Sequence, residues 1–264
     1  MSYYDEVGTY YDKDAEDFER RYWQNDALQR IRQSFREHVR KYHMESALEV
    51  GFGPGFDLVH FAQTFPETRW DGIDISSEMF RIAQEKIDEG GLRNARVAQG
   101  SVEHLEDQFP GASYDMIYVF FGALNTVDDL ELAMEKLEAK LRPGGRMILT
   151  FVNKWYAGGM LIELLKGKPK RAFARLKKVW GGYSPTQFLA SKCYSTREVR
   201  RSTALKLTDK RGYSILFPAW YYHKIHRLLP RRLRMLLWSV DVKIARTPLG
   251  TLGEYMLYDF VKKG

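Results

Sequence analysis

A carboxylate that precedes three glycines is the pattern in this chain best suited to hold a charged ligand. Residues 47–55 predict a buried strand that ends near Glu49 and then turns on Gly51, Gly53 and Gly55. Glycines allow positive φ, and they let backbone N–H groups approach a ligand without a Cβ in the way. A glycine turn after the first strand of an α/β unit is where doubly wound sheets hold nucleotide-like cofactors.

Two residues at this turn distinguish between classes of cofactor. A dinucleotide fingerprint requires glycine at position 56, where this chain has Phe56. Glu49 would repel a pyrophosphate but attract an ammonium group. The turn therefore favours a cofactor with a positively charged end, and the alternative is a tight turn with a purely structural role.

A second carboxylate follows at the separation that a ribose-binding residue requires. Residues 69–75 predict a second strand, and Asp74 lies near its end, roughly 20 residues past the turn. Ser76 then caps a predicted helix that runs to about Glu89. Further strands are predicted at 95–99, 114–119 and 146–152, with a helix at 128–140.

Four motifs stand in the order and at the intervals of one enzyme family: LEVGFGPG at 48–55, GIDIS at 72–76, YDMI at 114–117 and LRPGG at 141–145. On these motifs, residues 45–152 resemble the class I S-adenosylmethionine-dependent methyltransferases, in particular the ubiquinone- and menaquinone-biosynthesis and other small-molecule methyltransferases. The resemblance implies an α/β fold with a Rossmann-like seven-stranded sheet, and S-adenosylmethionine as the cofactor.

The resemblance also implies which residues hold the cofactor. Glu49 and the glycine turn would hold its methionine end, and Asp74 its ribose. Family members often have Asp where this chain has Ser101, whose uncharged hydroxyl is a weaker acceptor for the adenine amino group. The full predicted set is Tyr11, Glu49, Gly51, Gly53, Gly55, Asp74, Ile75, Met79, Ser101, Val102, Val119 and Phe120.

Charge is divided unevenly along the chain. Residues 1–154 carry a net charge of −10 and residues 155–264 a net charge of +17, which indicates a cationic face on the later half. The single Cys193 excludes an internal disulfide and a multi-cysteine metal site, and we predict no metal centre. The acidic start lacks an apolar signal segment, and no run reaches the roughly 18 apolar residues of a membrane span. The predicted location is the cytoplasm, either free or peripheral at a membrane.

The rest of the chain is predicted to complete the sheet and to cover its ligand-binding edge. A helix from Ser195 to about Leu207, a sixth strand at 213–220 and a seventh at 255–261 would complete the sheet. Insertions at about 153–192 and 221–250 follow strands five and six at the edge where open α/β sheets bind ligands. We therefore predict a domain over 45–264 with two helical caps, preceded by a helical lid over 1–44. The pair Tyr11–Asp12 in that lid resembles one that closes over the cofactor in related enzymes.

The two predicted caps are amphipathic and basic. Residues 168–180 and 223–245 each predict a helix with an apolar stripe among Lys and Arg side chains, such as Arg231, Arg232 and Arg234. Three interpretations stay open: a solvated cap whose stripe packs on the domain, a helix that lies on an anionic membrane, and a face for nucleic acid.

Methyl transfer from a sulfonium is an in-line displacement, so positioning and exclusion of water supply much of the rate. No catalytic residue is assigned, and O-, C- and N-acceptors stay open, as does the oligomeric state. We predict a small hydrophobic or anionic substrate. The alternatives are an RNA or protein methyltransferase that docks through its basic half, and a non-catalytic cofactor-binding protein. The residues predicted to face the substrate are Asn125, Trp155, Tyr156, Tyr221, Tyr222 and His223.

Overall fold

The structure, a computed structural model, describes residues 3–183 and 188–264. Part of the first predicted cap, residues 184–187, lies outside the described residues. The described strands are β1 Ser46–Val50, β2 Arg69–Asp74, β3 Ala95–Gln99, β4 Tyr114–Val119, β5 Leu141–Val152, β6 Lys206–Tyr213 and β7 Tyr255–Val261.

Helices connect these strands and extend beyond them. They are α1 Tyr3–Trp23, α2 Asp26–Val39, α3 Phe56–Thr64, α4 Ser77–Glu89, α5 Leu105–Gln108, α6 Leu130–Lys140, α7 Ala157–Leu165, α8 Pro169–Ala172, α9 Thr196–Arg201, α10 His223–Leu228 and α11 Arg231–Ile244. Short 3₁₀ helices lie at Val102–His104, Ala123–Thr126, Ala174–Leu176 and Pro248–Leu252.

The strands form one sheet in the order β3-β2-β1-β4-β5-β7-β6. Strands β1 to β5 pair in parallel, and β7 runs antiparallel to both β5 and β6. The order reverses at β1 and β4, and the carboxyl ends of strands at such a switch point form a crevice that binds ligands. The predicted fold class, an α/β seven-stranded sheet with helical caps, is confirmed.

Each face of the sheet is covered by its own hydrophobic cluster. One cluster joins the sheet to α5, α6 and α9, and the other joins it to α2, α3 and α4. Helix α2 contributes Ile31, Phe35 and Val39, all fully buried. Within the predicted lid segment 1–44, α2 belongs to the same core as the sheet, so the lid stays a prediction for α1 alone.

The prediction for β6 was wrong by seven residues. The strand begins at Lys206, where a helix was predicted to continue, and it ends at Tyr213, where the strand was predicted to begin. Among the described residues, strand β6 lies at the sheet edge and pairs only with β7, so it can be polar and lacks the apolar signal of a central strand. The apolar run after it instead turns into the cap, where Asp241 accepts hydrogen bonds from the backbone N–H groups of Ile215, Leu216 and Phe217.

The predicted cap helices are also shorter than expected. Residues 223–245 form two helices because Pro230 lacks the N–H that a continuous helix would need. Residues 168–180 form only the single turn α8 and a 3₁₀ turn, and within them Phe173 is exposed while Arg175 is buried. Among the described residues, no helix is both long and apolar enough to cross a bilayer.

Candidate active site

A cavity of about 650 Å³ lies at the carboxyl edge of the sheet. Its floor is formed by the ends of β1, β2 and β4 with the loops that follow them, one side by α1, and its far end by cap residues and the start of β7. The predicted residues that line it are Tyr11, Gly51, Gly53, Asp74, Ile75, Met79, Ser101, Val102, Phe120, Asn125, Tyr221 and His223.

The glycine turn after β1 takes the conformation that its sequence requires. Gly51 and Gly53 have φ of 73° and 55°, a left-handed region that disfavours other residues. A Cβ on Gly51 would lie 2.4 Å from the Cβ of Ala123, whereas a Cβ on Gly53 would meet nothing within 4 Å. Gly51 thus lets the loop after β4 approach the turn, and Gly53 leaves the space above the turn open. Gly55 does not line the cavity but packs on Ala83 of α4.

Asp74 lies at the end of β2 and is only 8% exposed. Its carboxylate accepts hydrogen bonds from Gly53 N at 2.8 Å and from Ser76 N at 3.0 Å, which ties the glycine turn to the start of α4. Burial raises the pKa of Asp74 to about 6 despite these hydrogen bonds. The remaining acceptor capacity of this carboxylate lies in the cavity wall, where the ribose hydroxyls were predicted to bind.

Glu49 does not line the cavity but lies beneath the glycine turn. Its carboxylate is 2% exposed and accepts a hydrogen bond of 2.9 Å from the Tyr118 hydroxyl. Burial, and then the like charge of Asp57, raises the pKa of Glu49 well above its usual value. Arg32, which does line the cavity, pairs with Asp57. Direct contact of Glu49 with a ligand therefore stays a prediction, and Arg32 is a buried positive charge in the cavity wall.

The loops after β2 and β3 form the end of the cavity predicted for adenine. Ile75 and Met79 line it together with Ser101 and Val102. The Ser101 hydroxyl already caps the following 3₁₀ helix, since it accepts from Glu103 N at 3.3 Å and lies 3.0 Å from His104 Nδ1. Val119, which was predicted with Phe120 to line the methyl-donor part of the cofactor site, is fully buried in the core and does not line the cavity.

Helix α1 is held beside the cavity by polar contacts near its start and at its middle. The Asp12 carboxylate accepts from the Ser76 hydroxyl at 2.6 Å and from Glu78 N at 3.1 Å, and so extends the N-terminal cap of α4. Near the start of α1, the Tyr4 hydroxyl donates to Glu103 at 2.9 Å. Tyr11 lies between these contacts and faces the cavity. Helix α1 therefore lines one side of the cavity, and its closure over a cofactor stays a prediction.

Behind the far end of the cavity lies a buried carboxylate that the sequence did not reveal. Glu254 is fully buried, accepts from the Tyr183 hydroxyl at 2.9 Å, and pairs with Arg175 at 3.4 Å. The Tyr183 hydroxyl also lies 3.2 Å from that of Tyr255, and both tyrosines line the cavity. Burial raises the pKa of Glu254 to about 7, although the charge of Arg175 opposes this shift. A proton acceptor near neutral pH therefore lies one hydroxyl away from the cavity.

Of the six residues predicted to face the substrate, three line the cavity and three do not. Tyr221 and His223 line the cavity, His223 with an exposed side chain. Trp155, Tyr156 and Tyr222 do not line it, because Trp155 is half exposed and the two tyrosines pack into a cap cluster with Ala219. Asn125 lines the cavity, but its side chain already bonds the backbone of Val152 and Lys192.

Several lining residues were not predicted as site residues. They are aromatic or hydroxyl side chains from α1, the caps and β7: Tyr4, Tyr10, Tyr22, Trp180, Tyr183, Ser191, Trp220 and Tyr255. The aromatic cluster in α1 was visible in the sequence. Tyr183 and Glu254 were not, because their 71-residue separation carries no pattern.

Comparison with known proteins agrees with the fold and the motifs. Residues 47–145 match the family model of a methyltransferase domain. A tRNA (guanine-N(7)-)-methyltransferase of Edwardsiella ictaluri is 41% identical over 75 residues, which cover 28% of this chain and 32% of that protein. A demethylmenaquinone methyltransferase of Listeria welshimeri is 32% identical over 82 residues, 31% of this chain and 34% of that protein. The chain thus spans about a third of the length of these two relatives.

The structure is also similar to solved structures over nearly its whole length. A methyltransferase of Thermotoga maritima, described as a possible histamine N-methyltransferase, superposes with a TM-score of 0.57 at 16% identity and covers 97% of this chain and 100% of its own. At that identity the similarity shows the fold alone. The matched model thus assigns residues 47–145 to a methyltransferase domain, and the four motifs and the sheet order are those of the class I S-adenosylmethionine-dependent methyltransferase fold.

Proposed function

We propose that this chain transfers a methyl group from S-adenosylmethionine to a small molecule bound at the aromatic end of the cavity. The observation that carries the proposal is the shared cavity: it is lined by motif residues such as Asp74 at one end and by Tyr183, Trp220 and Tyr255 at the other. Donor and acceptor would therefore be held together and away from bulk water.

Three features of the cavity wall fit S-adenosylmethionine. The open space above Gly53 admits a ligand against the backbone of the turn. Asp74 supplies an acceptor for ribose hydroxyls. Arg32 is 7% exposed, and its Nε has no hydrogen-bond partner among the described residues, so it fits the carboxylate at the methionine end.

When bound, S-adenosylmethionine supplies a methyl group that its sulfonium makes electrophilic. The residues of this chain orient the two molecules, exclude water through α1 and the caps, and accept a proton where the acceptor must lose one. We infer that Tyr183 and Glu254 perform the last step. The acceptor passes its proton to Tyr183 Oη while Tyr183 passes its own to Glu254 Oε1, and Glu254 leaves the step as a neutral acid.

A contact between α1 and the cap favours a small acceptor over a macromolecule. Tyr3 donates from α1 to the carbonyl of Ala190 at 2.6 Å, so the lid contacts the cap across the cavity. A base within a folded RNA would have to be flipped out and pass this contact. The matched relatives include both a tRNA and a quinone methyltransferase, and each matches only part of its length.

The proposal is tested with S-adenosylmethionine that carries tritium in its methyl group. The protein is incubated with a cell extract separated into small molecules, RNA and protein, and the label in each fraction is counted. We expect label in the small-molecule fraction and a loss of rate for Tyr183→Phe. A matched control is Tyr258→Phe, because the Tyr258 hydroxyl contacts Thr196 and does not line the cavity. Label in RNA or protein, or in no fraction, would contradict the proposal.

A further inference from the structure

Exposed apolar side chains are concentrated in one part of this chain. Of the large hydrophobic residues that are exposed among the described residues, only Trp23 and Leu132 precede residue 155. The same part has a large excess of positive charge: residues 155–183 and 214–250 each contain seven Lys and Arg and one acidic residue. Apolar exposure and positive charge therefore occur together.

Helix α11 shows both properties on one face. Arg232, Met235, Leu236, Val242 and Lys243 are all exposed, and their spacing places them along one side of the helix. The opposite side carries Asp241, the one buried residue of this helix, which binds the backbone before α10. If the cap were only a solvated cover, its apolar stripe would pack on the domain. Part of the apolar stripe instead faces outward.

The neighbouring helices continue this surface. Leu161, Leu164 and Leu165 of α7 are exposed, and Leu228 at the end of α10 is 82% exposed. Helices α7 and α10 pack together through a small cluster that includes Ile162 and Ile225. Helix α11 begins three residues after α10 ends. We call the exposed residues of α7, α8, α10 and α11 the cap surface.

Most cations of the cap surface are available to a partner. In the part of the chain that the structure describes, Arg231, Arg232 and Lys243 form no salt bridge, and neither do Lys168 and Lys170 of the α8 segment. Arg234 differs, because its guanidinium faces Asp26 at 4.0 Å. The surface therefore carries unneutralised charge among exposed leucines.

We propose that the cap surface docks on an anionic lipid bilayer. Leucines that project among Lys and Arg match an interface in which acyl chains lie directly beneath anionic headgroups. A second copy of this chain would bring like charges together, and a nucleic acid would leave the leucines without apolar partners. This inference does not depend on which molecule is methylated.

Co-sedimentation with vesicles tests the inference. Binding is measured to vesicles of equimolar phosphatidylglycerol and phosphatidylcholine, and to phosphatidylcholine alone. We expect binding only to the anionic vesicles, with an affinity that falls as salt shortens the Debye length from about 10 Å at 0.1 M to about 3 Å at 1 M. Arg232→Glu with Lys243→Glu should lower the affinity on the order of 25-fold or more, since each cation near the surface contributes about fivefold.

Matched controls distinguish binding through the cap surface from an effect of net charge and from nonspecific hydrophobic binding. Arg93→Glu with Lys136→Glu makes the same charge change at exposed positions of the cofactor domain and should leave the affinity within about twofold. Leu228→Ser with Leu236→Ser should weaken binding several-fold at every salt concentration, whereas Leu132→Ser should not. The inference is overturned if the wild type ignores anionic vesicles, if both charge reversals lose affinity equally, or if bulk RNA displaces the protein from vesicles.

Discussion

Replacing Asp74 by alanine should weaken the binding of S-adenosylmethionine, because the variant loses direct hydrogen bonds to the ribose in addition to any loss of local order. The carboxylate is 8% exposed and lies in the cavity wall, where it would accept from the ribose hydroxyls. A hydrogen bond to a charged group contributes about 1.5–3 kcal/mol, so Asp74→Ala should raise the calorimetric Kd roughly tenfold to a hundredfold.

The same carboxylate predicts how binding depends on pH. Burial raises the pKa of Asp74 to about 6, so an increasing fraction is neutral as the pH falls through that value. A neutral carboxyl group is a weaker acceptor, and the affinity of the wild type should fall between about pH 7 and pH 5. Asp74→Ala should lose this dependence, because the titrating group is absent.

Asp115→Ala provides a matched control. Asp115 also accepts from two backbone N–H groups, those of Glu45 and Ser46 at 3.0 Å, but it lies at the start of β4 and does not line the cavity. This variant should bind S-adenosylmethionine as the wild type does, at every pH. Unchanged affinity in Asp74→Ala, or equal losses in the two variants, would refute the assignment of Asp74 to the cofactor.

Three further variants test other parts of the structure. Burial raises the pKa of Glu254 from 4.5 to about 7, so this group favours folding fully below about pH 4.5 and its contribution is lost as the pH rises through 7. In urea titrations, Glu254→Gln should therefore flatten the pH dependence of the unfolding free energy by up to about 3 kcal/mol. An unchanged pH dependence would contradict the burial of this carboxylate. Gly51→Ala should lower the free energy of unfolding by about 2 kcal/mol or more, because its Cβ would meet Ala123. Gly144 also has a φ of 78°, but a Cβ there would meet no atom within 4 Å, so Gly144→Ala should cost only the roughly 1–2 kcal/mol of the left-handed conformation. Equal losses in the two variants would contradict the steric role of Ala123. Asp12→Ala should release α1 from α4, so that trypsin cleaves after Arg20 or Arg21 at a higher rate. Asp17→Ala is the control, because it removes only an exposed ion pair with Arg20 inside α1, and it should leave the cleavage rate unchanged.

Strand β3 has its predicted bounds although it lies at a sheet edge and only Val97 of it is buried. Strands β4 and β7 have the predicted bounds because each is a buried apolar run bordered by a turn. Strand β6 failed this criterion, since an edge strand needs no apolar partner on its outer side. The prediction for the second cap was wrong because hydrophobic periodicity was followed through Pro230. The prediction for the first cap was wrong because Arg175, one of many cations in its segment, is buried in an ion pair with Glu254.

The cofactor end of the site could be predicted because its residues are close in sequence and have fixed geometric roles. The turn at Gly51 and Gly53 and the carboxylate of Asp74 are determined locally by β1 and β2. The acceptor end could not be predicted, since it is assembled from α1, the first cap and the start of β7. Tyr183 and Glu254 meet only because both insertions fold back over the same sheet edge.

We infer that one cavity holds donor and acceptor side by side. A crystal structure of this chain with S-adenosylhomocysteine, the product of methyl transfer, would test this inference directly. We predict that the ribose contacts Asp74, that the carboxylate contacts Arg32, and that the sulfur faces the space before Tyr183 and Tyr255 with no protein atom between them. A ligand bound elsewhere, or a sulfur separated from Tyr183 by a protein wall, would contradict the claim.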